Sequence, residues 1–473
     1  MSEVLWTLED FARGCGGRVV GRPSAAITGI SIDTRTIGEG EAFFAIKGDA
    51  RDGHDFVAAA LGRGAGVAVV AEARLCEMPA DGRYVVVDDV LEALRALGIA
   101  ARARSKAAIV AVTGSVGKTS TKEALRTVLS AQGKTHASVA SYNNHWGVPL
   151  TLARMPADCA FAVFEIGMSN PGEITPLAQM VRPQVAIVTT VAPVHLAQFS
   201  GIEAIAEAKA EIFAGLEAGG AAVINGDIAE VAILERAAGA AGARVVRFGA
   251  AAGCEARIVA AELGADGSSV TADILGSRVA YTIGAPGRHV VENSLAVLAA
   301  AVLAGADLGR AAASLADVHP PKGRGERQAL SVAGGTVLLI DESYNANPAS
   351  MRAAIDLLGR APIGAGGRRI AALGDMLELG PEGARLHAEL APALAAAGVD
   401  RVYLAGPLMR SLYDAVPEAM RGAWAEKAAD IEAALAAALA PGDAVMIKGS
   451  NGSKMGPVVE ALKTRSAAAG VGA

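Results

Sequence analysis

Residues 109–121, IVAVTGSVGKTST, constrain this chain more than any other stretch. Residues 109–112 are apolar and predict a buried strand. Gly114 and Gly117, three apart, predict a tight loop, and Lys118 and Thr119 open a helix expected to run to about residue 133. A strand feeding such a turn into a helix N-terminus aims several backbone N–H groups and the positive end of the helix dipole at one point, where Lys118 adds a full charge. The stretch is therefore a phosphate cradle. The Thr119 hydroxyl is placed to be a ligand for the Mg²⁺ that accompanies ATP or GTP. The pattern is a GxxGKT form, shorter than the full GxxxxGK[ST], and its position between a strand and a helix is the context the chemistry needs.

At 473 residues the chain is too long for a single core and predicts about three domains. Its 52% hydrophobic content is driven by alanine. The longest weakly polar run, residues 295–306, is too short to span a bilayer. The start, MSEVLWTLEDFARG, lacks a basic segment followed by an apolar run, so no secretory signal and a cytoplasmic protein are expected. Cys15, Cys76, Cys159 and Cys254 have no CxxC spacing and are expected to be small buried residues rather than disulfides or a zinc site. A net charge of −6, no block of lysines or arginines and 4% aromatic residues offer neither a phosphate-tracking stripe nor base-stacking platforms. Nucleic acid is therefore not an expected partner.

Residues 1–87 carry short apolar stretches at 27–32, 42–46, 67–70 and 84–87 and predict a small α/β module. A helix is expected over 90–104, then further parallel strands at 160–164, 185–191 and 221–224 separated by helices, which together make a doubly wound sheet. In such sheets ligands sit at the C-terminal strand ends. Glu165, His195, Asn225 and Asp227 fall there. Glu165, directly after AFAVF, needs a partner if it is buried, and a Mg²⁺ beside the phosphate loop would be one. Lys209, in AEAKAEI, reads locally as an ordinary helix-surface lysine. Residues 256–283 change to short alternating segments around the turn at 265–268 and predict an antiparallel insertion. GRHVVEN from Gly287 opens a helix, and HPPKGRGE from His319 marks a hinge. Strands expected at 337–340, 370–373, 402–404 and 444–447 end in polar or glycine-rich tips, and predict a second Rossmann-like sheet with its own binding edge.

TGSVGKTS from Thr113, YNNHWGVPLTL from Tyr142, FEIGMSNPGEI from Phe164, AKAEIF from Ala208, DESYNANPASM from Asp341 and ALGDMLELG from Ala372 together resemble the Mur ligase family over nearly the whole chain. The last two stretches resemble most the branch that adds D-alanyl-D-alanine. The resemblance implies a three-domain α/β architecture. An N-terminal UDP-sugar-binding domain would span 1–87, a central P-loop ATPase-like doubly wound domain 88–320, and a C-terminal Rossmann-like acceptor domain 321–473. It implies that Ser31, Thr34, Arg35, Lys47 and His54 bind the UDP-sugar, with Asn143 and Asn144 also at substrate. Gly114, Ser115, Val116, Gly117, Lys118, Thr119 and Ser120 would hold the ATP phosphates.

Two Mg²⁺ sites are implied, one on Thr119 and Glu165, the other served by His195 and by Lys209 as an N-carbamate made with CO₂. Lys118, Glu165, His195 and Lys209 would carry the chemistry. Asn293 would meet the adenine, while Arg324 or Arg327, Asp341 and Tyr344 would approach the nucleotide from the C-terminal side. Asn345 and Asn347 would line the acceptor pocket. The chain departs from the family pattern at Val290, where an asparagine is expected after His289, and at Asn451 in KGSNGSKM, where an arginine is usual.

The implied activity is ATP-driven amide formation through an acyl phosphate. It would join D-alanyl-D-alanine to UDP-N-acetylmuramoyl-tripeptide in cytoplasmic peptidoglycan precursor synthesis, by a monomer that needs no nucleic acid or membrane. Another Mur ligase or a folylpolyglutamate-type ligase would run the same chemistry on a different substrate. A P-loop switch protein is the alternative of a different class, and it has no use for the polar strand tips of the third domain.

Overall fold

Three large sheets with helices packed against them organise the computed structural model, which describes residues 3–139, 141–193 and 198–470. The N-terminal sheet runs in the order Arg18–Val20, Tyr84–Val87, Val67–Ala71, Ala42–Phe44, Ile30–Ser31 and is parallel except at the first pairing. The stretch 27–32, expected as one strand, divides in two. Ala26–Ile27 pairs antiparallel with Trp6–Thr7 in a separate ribbon, and Ile30–Ser31 joins the sheet. At the break, the Thr28 hydroxyl donates to the Glu39 carbonyl, and a side chain on Gly29 would lie 2.6 Å from Glu41 Oε1.

The helix Val90–Arg104 forms where its pattern predicts, capped by Asp89, which accepts from the Glu92 N–H at 2.8 Å. Its buried face joins two cores. Leu94 and Leu97 pack with Phe11, Phe44 and Val85 of the N-terminal unit and with Leu150 and Ala153 of the central one. At its last turn Arg102 Nε donates to the Val181 carbonyl at 2.8 Å, which ties the helix to the central domain.

In the central nine-stranded sheet, Ala108–Thr113 lies between Phe161–Glu165 and Val185–Val188, parallel to both. Val110 and Val112 pack with Leu125, Leu129, Leu295 and Leu298, while Ile109 and Ala111 face Leu152, Leu177, Ile205 and Phe213. Both faces are covered, which is why the strand reads apolar at every position. The pairings Glu165↔Val112 and Val188↔Thr113 bring the three strand tips to one edge.

Residues 256–283 form the expected antiparallel segments, and these continue the edge of the central sheet. Ala256–Leu263 runs parallel to Arg244–Gly249 and antiparallel to Ser268–Ile274, which pairs with Ser277–Ile283. Val270, Ala272 and Ile274 are buried while Ser269, Thr271 and Asp273 are not, the pattern of an antiparallel strand covered on one face.

The C-terminal sheet runs Glu326–Val332, Gly335–Glu342, Ala444–Lys448, Arg369–Gly374, Arg401–Ala405, Arg421–Ala425, with only the first pair antiparallel. Its parallel strands end together, and Glu342 is the register partner of Lys448. Cys15 and Cys159 are buried and Cys254 is half-buried, but Cys76 is exposed, against the expectation of four buried cysteines. It sits in the surface turn Glu72–Glu77, none of whose residues is buried. Among the described residues no helix is long and apolar enough to cross a membrane.

Candidate active site

The phosphate loop is held open by its neighbours. Gly114 has φ +145° and Gly117 φ +88°, and the helix Lys118–Ser130 starts at a glycine that gives no side-chain cap, so among the described residues its first turn has no capping side chain. Thr189 Oγ1 donates to the Val116 carbonyl at 2.5 Å, and the Ser115 N–H donates to the Thr190 carbonyl at 2.9 Å, fastening the loop to the adjacent strand end. Lys118 Nζ donates to the Gly114 carbonyl at 2.7 Å across the loop. Burial lowers the Lys118 pKa, Glu165 opposes that shift and Arg324 adds to it. A methyl group on Gly114 would lie 2.0 Å from Thr189 Oγ1 in a backbone that L-residues rarely adopt. Gly114→Ala is expected to cost about 1–3 kcal/mol and to weaken ADP binding at the same time. A denaturation scan and an ADP titration check this, and unchanged ADP affinity would contradict the loop's role.

Glu165 is 1% exposed. Its Oε2 accepts from Thr119 Oγ1 at 2.9 Å and its Oε1 from Asn143 Nδ2 at 2.7 Å. A buried carboxylate touching the hydroxyl of the phosphate loop has the oxygen chemistry a Mg²⁺ site requires. Asn144 Oδ1 accepts from the Gly147 N–H at the head of the helix Gly147–Ala153. Lys209 corrects its local reading: it is 2% exposed, on a helix whose Ile205, Ala206, Ala208 and Ala210 are buried as well. Small alanines let that helix be covered on more than one side, so spacing alone did not reveal the burial. Desolvation, then the charge of Lys118, holds the Lys209 pKa well below the usual lysine range. His195 lies outside the described residues.

Lys118, Thr119, Asn143, Asn144 and Glu165 line one wall of a cavity of about 980 Å³ whose opposite wall comes from the C-terminal domain, whereas Lys209 does not line it. Asn293 lines it beside Gly117, where an added Cβ would lie 2.8 Å from Asn293 Nδ2. Arg324 lines it too, its guanidinium 4.3 Å from the Tyr344 ring centroid and 3.5 Å from Ser141 Oγ. Asn345, Asn347, Glu342 and Lys448 complete that side, with Lys448 Nζ 3.1 Å from Glu342 Oε2 and 2.9 Å from the Asn345 carbonyl. His289 also faces the cavity, its pKa lowered by burial against the opposing pull of Glu342 and Glu292.

Glu342, Lys448 and His289 were not singled out from the sequence as site residues. The signal available for the first two was their place at the ends of neighbouring strands.

Other candidates are placed elsewhere. Arg327 Nη1 donates to the Ala265 carbonyl and to Asp266 Oδ1, holding the turn of the central antiparallel hairpin rather than facing the cavity. Asp341 is 2% exposed, and its Oδ1 accepts from the Ser343 N–H and hydroxyl inside the loop. The N-terminal set does not reach the cavity. Ser31 Oγ bonds within its own turn to Asp33, and the Thr34 carbonyl accepts from Arg63. Arg35 is exposed and paired with Asp33, and Lys47 is exposed. His54 is buried with Nδ1 on Asp52 Oδ1 at 2.6 Å and Nε2 accepting from the Ala71 N–H, so both ring nitrogens serve the domain's own structure.

Family models match the chain in three consecutive blocks: the Mur ligase family catalytic domain at residues 26–80, the Mur ligase middle domain at 112–301, and the Mur ligase glutamate ligase domain at 323–451. A UDP-N-acetylmuramoyl-tripeptide–D-alanyl-D-alanine ligase of Escherichia coli (strain K12) is 34% identical over 436 residues, covering 92% of this chain and 93% of that protein. This chain belongs to the Mur ligase family. A Mur ligase of Acinetobacter baumannii described as MurF superposes with a TM-score of 0.82 at 28% identity, covering 97% of this chain and 99% of the other. The MurF ligase of Thermotoga maritima, solved in complex with ADP, gives a TM-score of 0.75 at 25% identity, covering 92% and 97%. In this Mur ligase the three matched blocks follow the three large sheets in order.

Proposed function

We propose that this Mur ligase joins D-alanyl-D-alanine to UDP-N-acetylmuramoyl-tripeptide at the expense of ATP, in peptidoglycan precursor synthesis in the cytoplasm. The observation that carries the reading is the single cavity with the phosphate loop on one wall and the 341–348 loop on the other. The division of labour follows the three units 1–87, 88–320 and 321–473, for UDP-sugar, ATP and acceptor. The relatives that span over nine-tenths of the chain carry the name of this ligase.

The barrier is one of charge, since an anionic carboxylate must approach an anionic phosphate. Lys118 and the N–H groups from Gly114 to Ser120 would hold the ATP phosphates and balance the charge that develops on them. The tripeptide carboxylate attacks the γ-phosphorus, ADP leaves, and an acyl phosphate results. The dipeptide amine then attacks the acyl carbon, phosphate leaves, and the amine gives up a proton. Thr119 and Glu165 would hold one Mg²⁺ and Lys209, as a carbamate, would serve a second; metal there supplies further neutralisation of phosphate charge. Arg324 lines the cavity from the C-terminal domain and lies 3.5 Å from Ser141 Oγ of the central one, which supports a reading in which donors of both domains would surround the phosphates and shield the acyl phosphate from water.

Phosphate release from ATP is expected to require both the UDP-muramoyl tripeptide and D-alanyl-D-alanine. Release with nucleotide alone at the same rate would contradict the proposal and favour a nucleotide switch.

A further inference from the structure

Two carboxylates divide the work of holding one side of the cavity. The helix Ile174–Val181 begins at Glu173, whose side chain does not cap it. Glu173 Oε2 instead accepts from the Ser169 N–H and its Oε1 from Asn170 Nδ2, both at 2.7 Å, which closes the turn before the helix. The helix amides are met from a distance by Glu211, in the stretch AKAEIF. Its Oε2 accepts from the Ile174 N–H at 3.1 Å, the Thr175 N–H at 3.0 Å and the Thr175 hydroxyl at 3.2 Å, and its Oε1 from the Gly172 N–H at 2.6 Å. A carboxylate there also faces the positive end of the helix dipole. The turn Glu211–Gly215 that carries it is fixed in its own right. Ile212 and Phe213 are buried in one core with Leu177 and Val181, and a side chain on Gly215 would lie 2.1 Å from the Ala178 carbonyl oxygen.

Met168, Ser169, Gly172 and Glu173 of this turn and Met180 of the helix line the cavity, and so does Arg95 of the helix Val90–Arg104. That helix packs with the N-terminal unit through Leu94 and Leu97, so this side of the cavity borders the domain read as holding the UDP-sugar. The groups read as holding ATP, Gly114 to Ser120 and Asn293, come from other elements. Resting on the function proposed above, we infer that Glu211 is a positioning residue for the UDP-muramoyl tripeptide, fixing the 168–173 turn along which the peptide lies. Glu211 does not line the cavity and acts through the amides it holds. Backbone and hydroxyl donors that converge on one carboxylate match its acceptor-only chemistry, and a carboxamide, whose NH₂ is itself a donor, can serve only part of the set. Without the carboxylate, the turn and the first turn of the helix lose the bonds that tie them to the Glu211–Gly215 segment.

The test compares Glu211→Ala and Glu211→Gln with the wild type in the full enzyme. Glutamine keeps the size and one accepting oxygen, and it carries the test if the alanine variant does not fold. Hydrogen exchange at the Gly172, Ile174 and Thr175 amides is expected to quicken by about tenfold or more in the alanine variant, with the glutamine variant in between. The KM for UDP-muramoyl tripeptide is expected to rise about tenfold in the alanine variant and less in the glutamine variant. The KM values for ATP and for D-alanyl-D-alanine are expected to stay unchanged. Unchanged exchange at these amides, an unchanged KM for the tripeptide, or KM values for ATP and tripeptide that rise together overturns the positioning role. A wild type that does not turn over the UDP-muramoyl tripeptide overturns the proposed function instead, and the exchange measurement still decides whether Glu211 holds the turn.

Discussion

Lys118→Ala is expected to reduce phosphate release by at least about 10²–10³-fold, the loss that follows removal of one group stabilising transition-state charge. The side chain has two duties. Its ammonium is the fixed positive charge of the loop, and its bond to the Gly114 carbonyl closes the loop on itself. The remainder of the cradle does not depend on it, because Thr189 and Ser115 fasten the loop to the neighbouring strand through their own bonds. The variant should therefore keep its circular dichroism spectrum and melt close to the wild type. Near-normal turnover in that folded variant would remove the phosphate loop from the reaction.

A loss of about 10²-fold or more is also expected for Lys209→Ala, by the same charge argument. A lysine 2% exposed, with Lys118 the charge that most affects it, is poorly placed as an ammonium: desolvation and like charge both favour the neutral amine. The neutral amine is the form that adds CO₂, giving a carbamate anion and releasing a proton. Such a carbamate would put a negative charge near Lys118 and would supply oxygens of the kind a divalent cation takes.

Activity should fall when bicarbonate and CO₂ are stripped from the buffer. The Lys209→Ala enzyme should recover part of its activity with a short-chain carboxylic acid that fits the vacated volume. Native mass spectrometry checks the modification directly. An unmodified Lys209 whose replacement leaves turnover intact would contradict its role.

The phosphate cradle was legible because its signal is local. Glycines at fixed spacing, an apolar strand before and a lysine after leave few alternatives, and Ala108–Thr113 followed by Lys118–Ser130 matches them. The helix Val90–Arg104 and the strand Tyr84–Val87 were equally local. The strands Thr135–Ala137, Arg244–Gly249, Glu326–Val332 and Arg421–Ala425 were not anticipated. Their sequences THA, RVVRFG, ERQALSV and RGAWA are short or carry charges, and they take their shape from the strand beside them rather than from their own pattern.

The burial of Lys209 depends on helices packed from elsewhere in the chain, and no window around AEAKAEI contains them. Glu342 and Lys448 are 106 residues apart and meet only because two parallel strands are in register. Arg324 and Arg327 are three apart in sequence, yet the turn before Glu326–Val332 sends the first into the cavity and the second to the Ala265–Asp266 turn.

Product mass under competition tests most directly what this enzyme joins. The enzyme is supplied with UDP-N-acetylmuramoyl-tripeptide, ATP and an equimolar mixture of D-alanine, diaminopimelate and D-alanyl-D-alanine. The expected product is the tripeptide nucleotide extended by the intact dipeptide, with one phosphate released for each molecule formed. A product extended by a single amino acid would contradict the dipeptide assignment and place the chain with a sister ligase of the family.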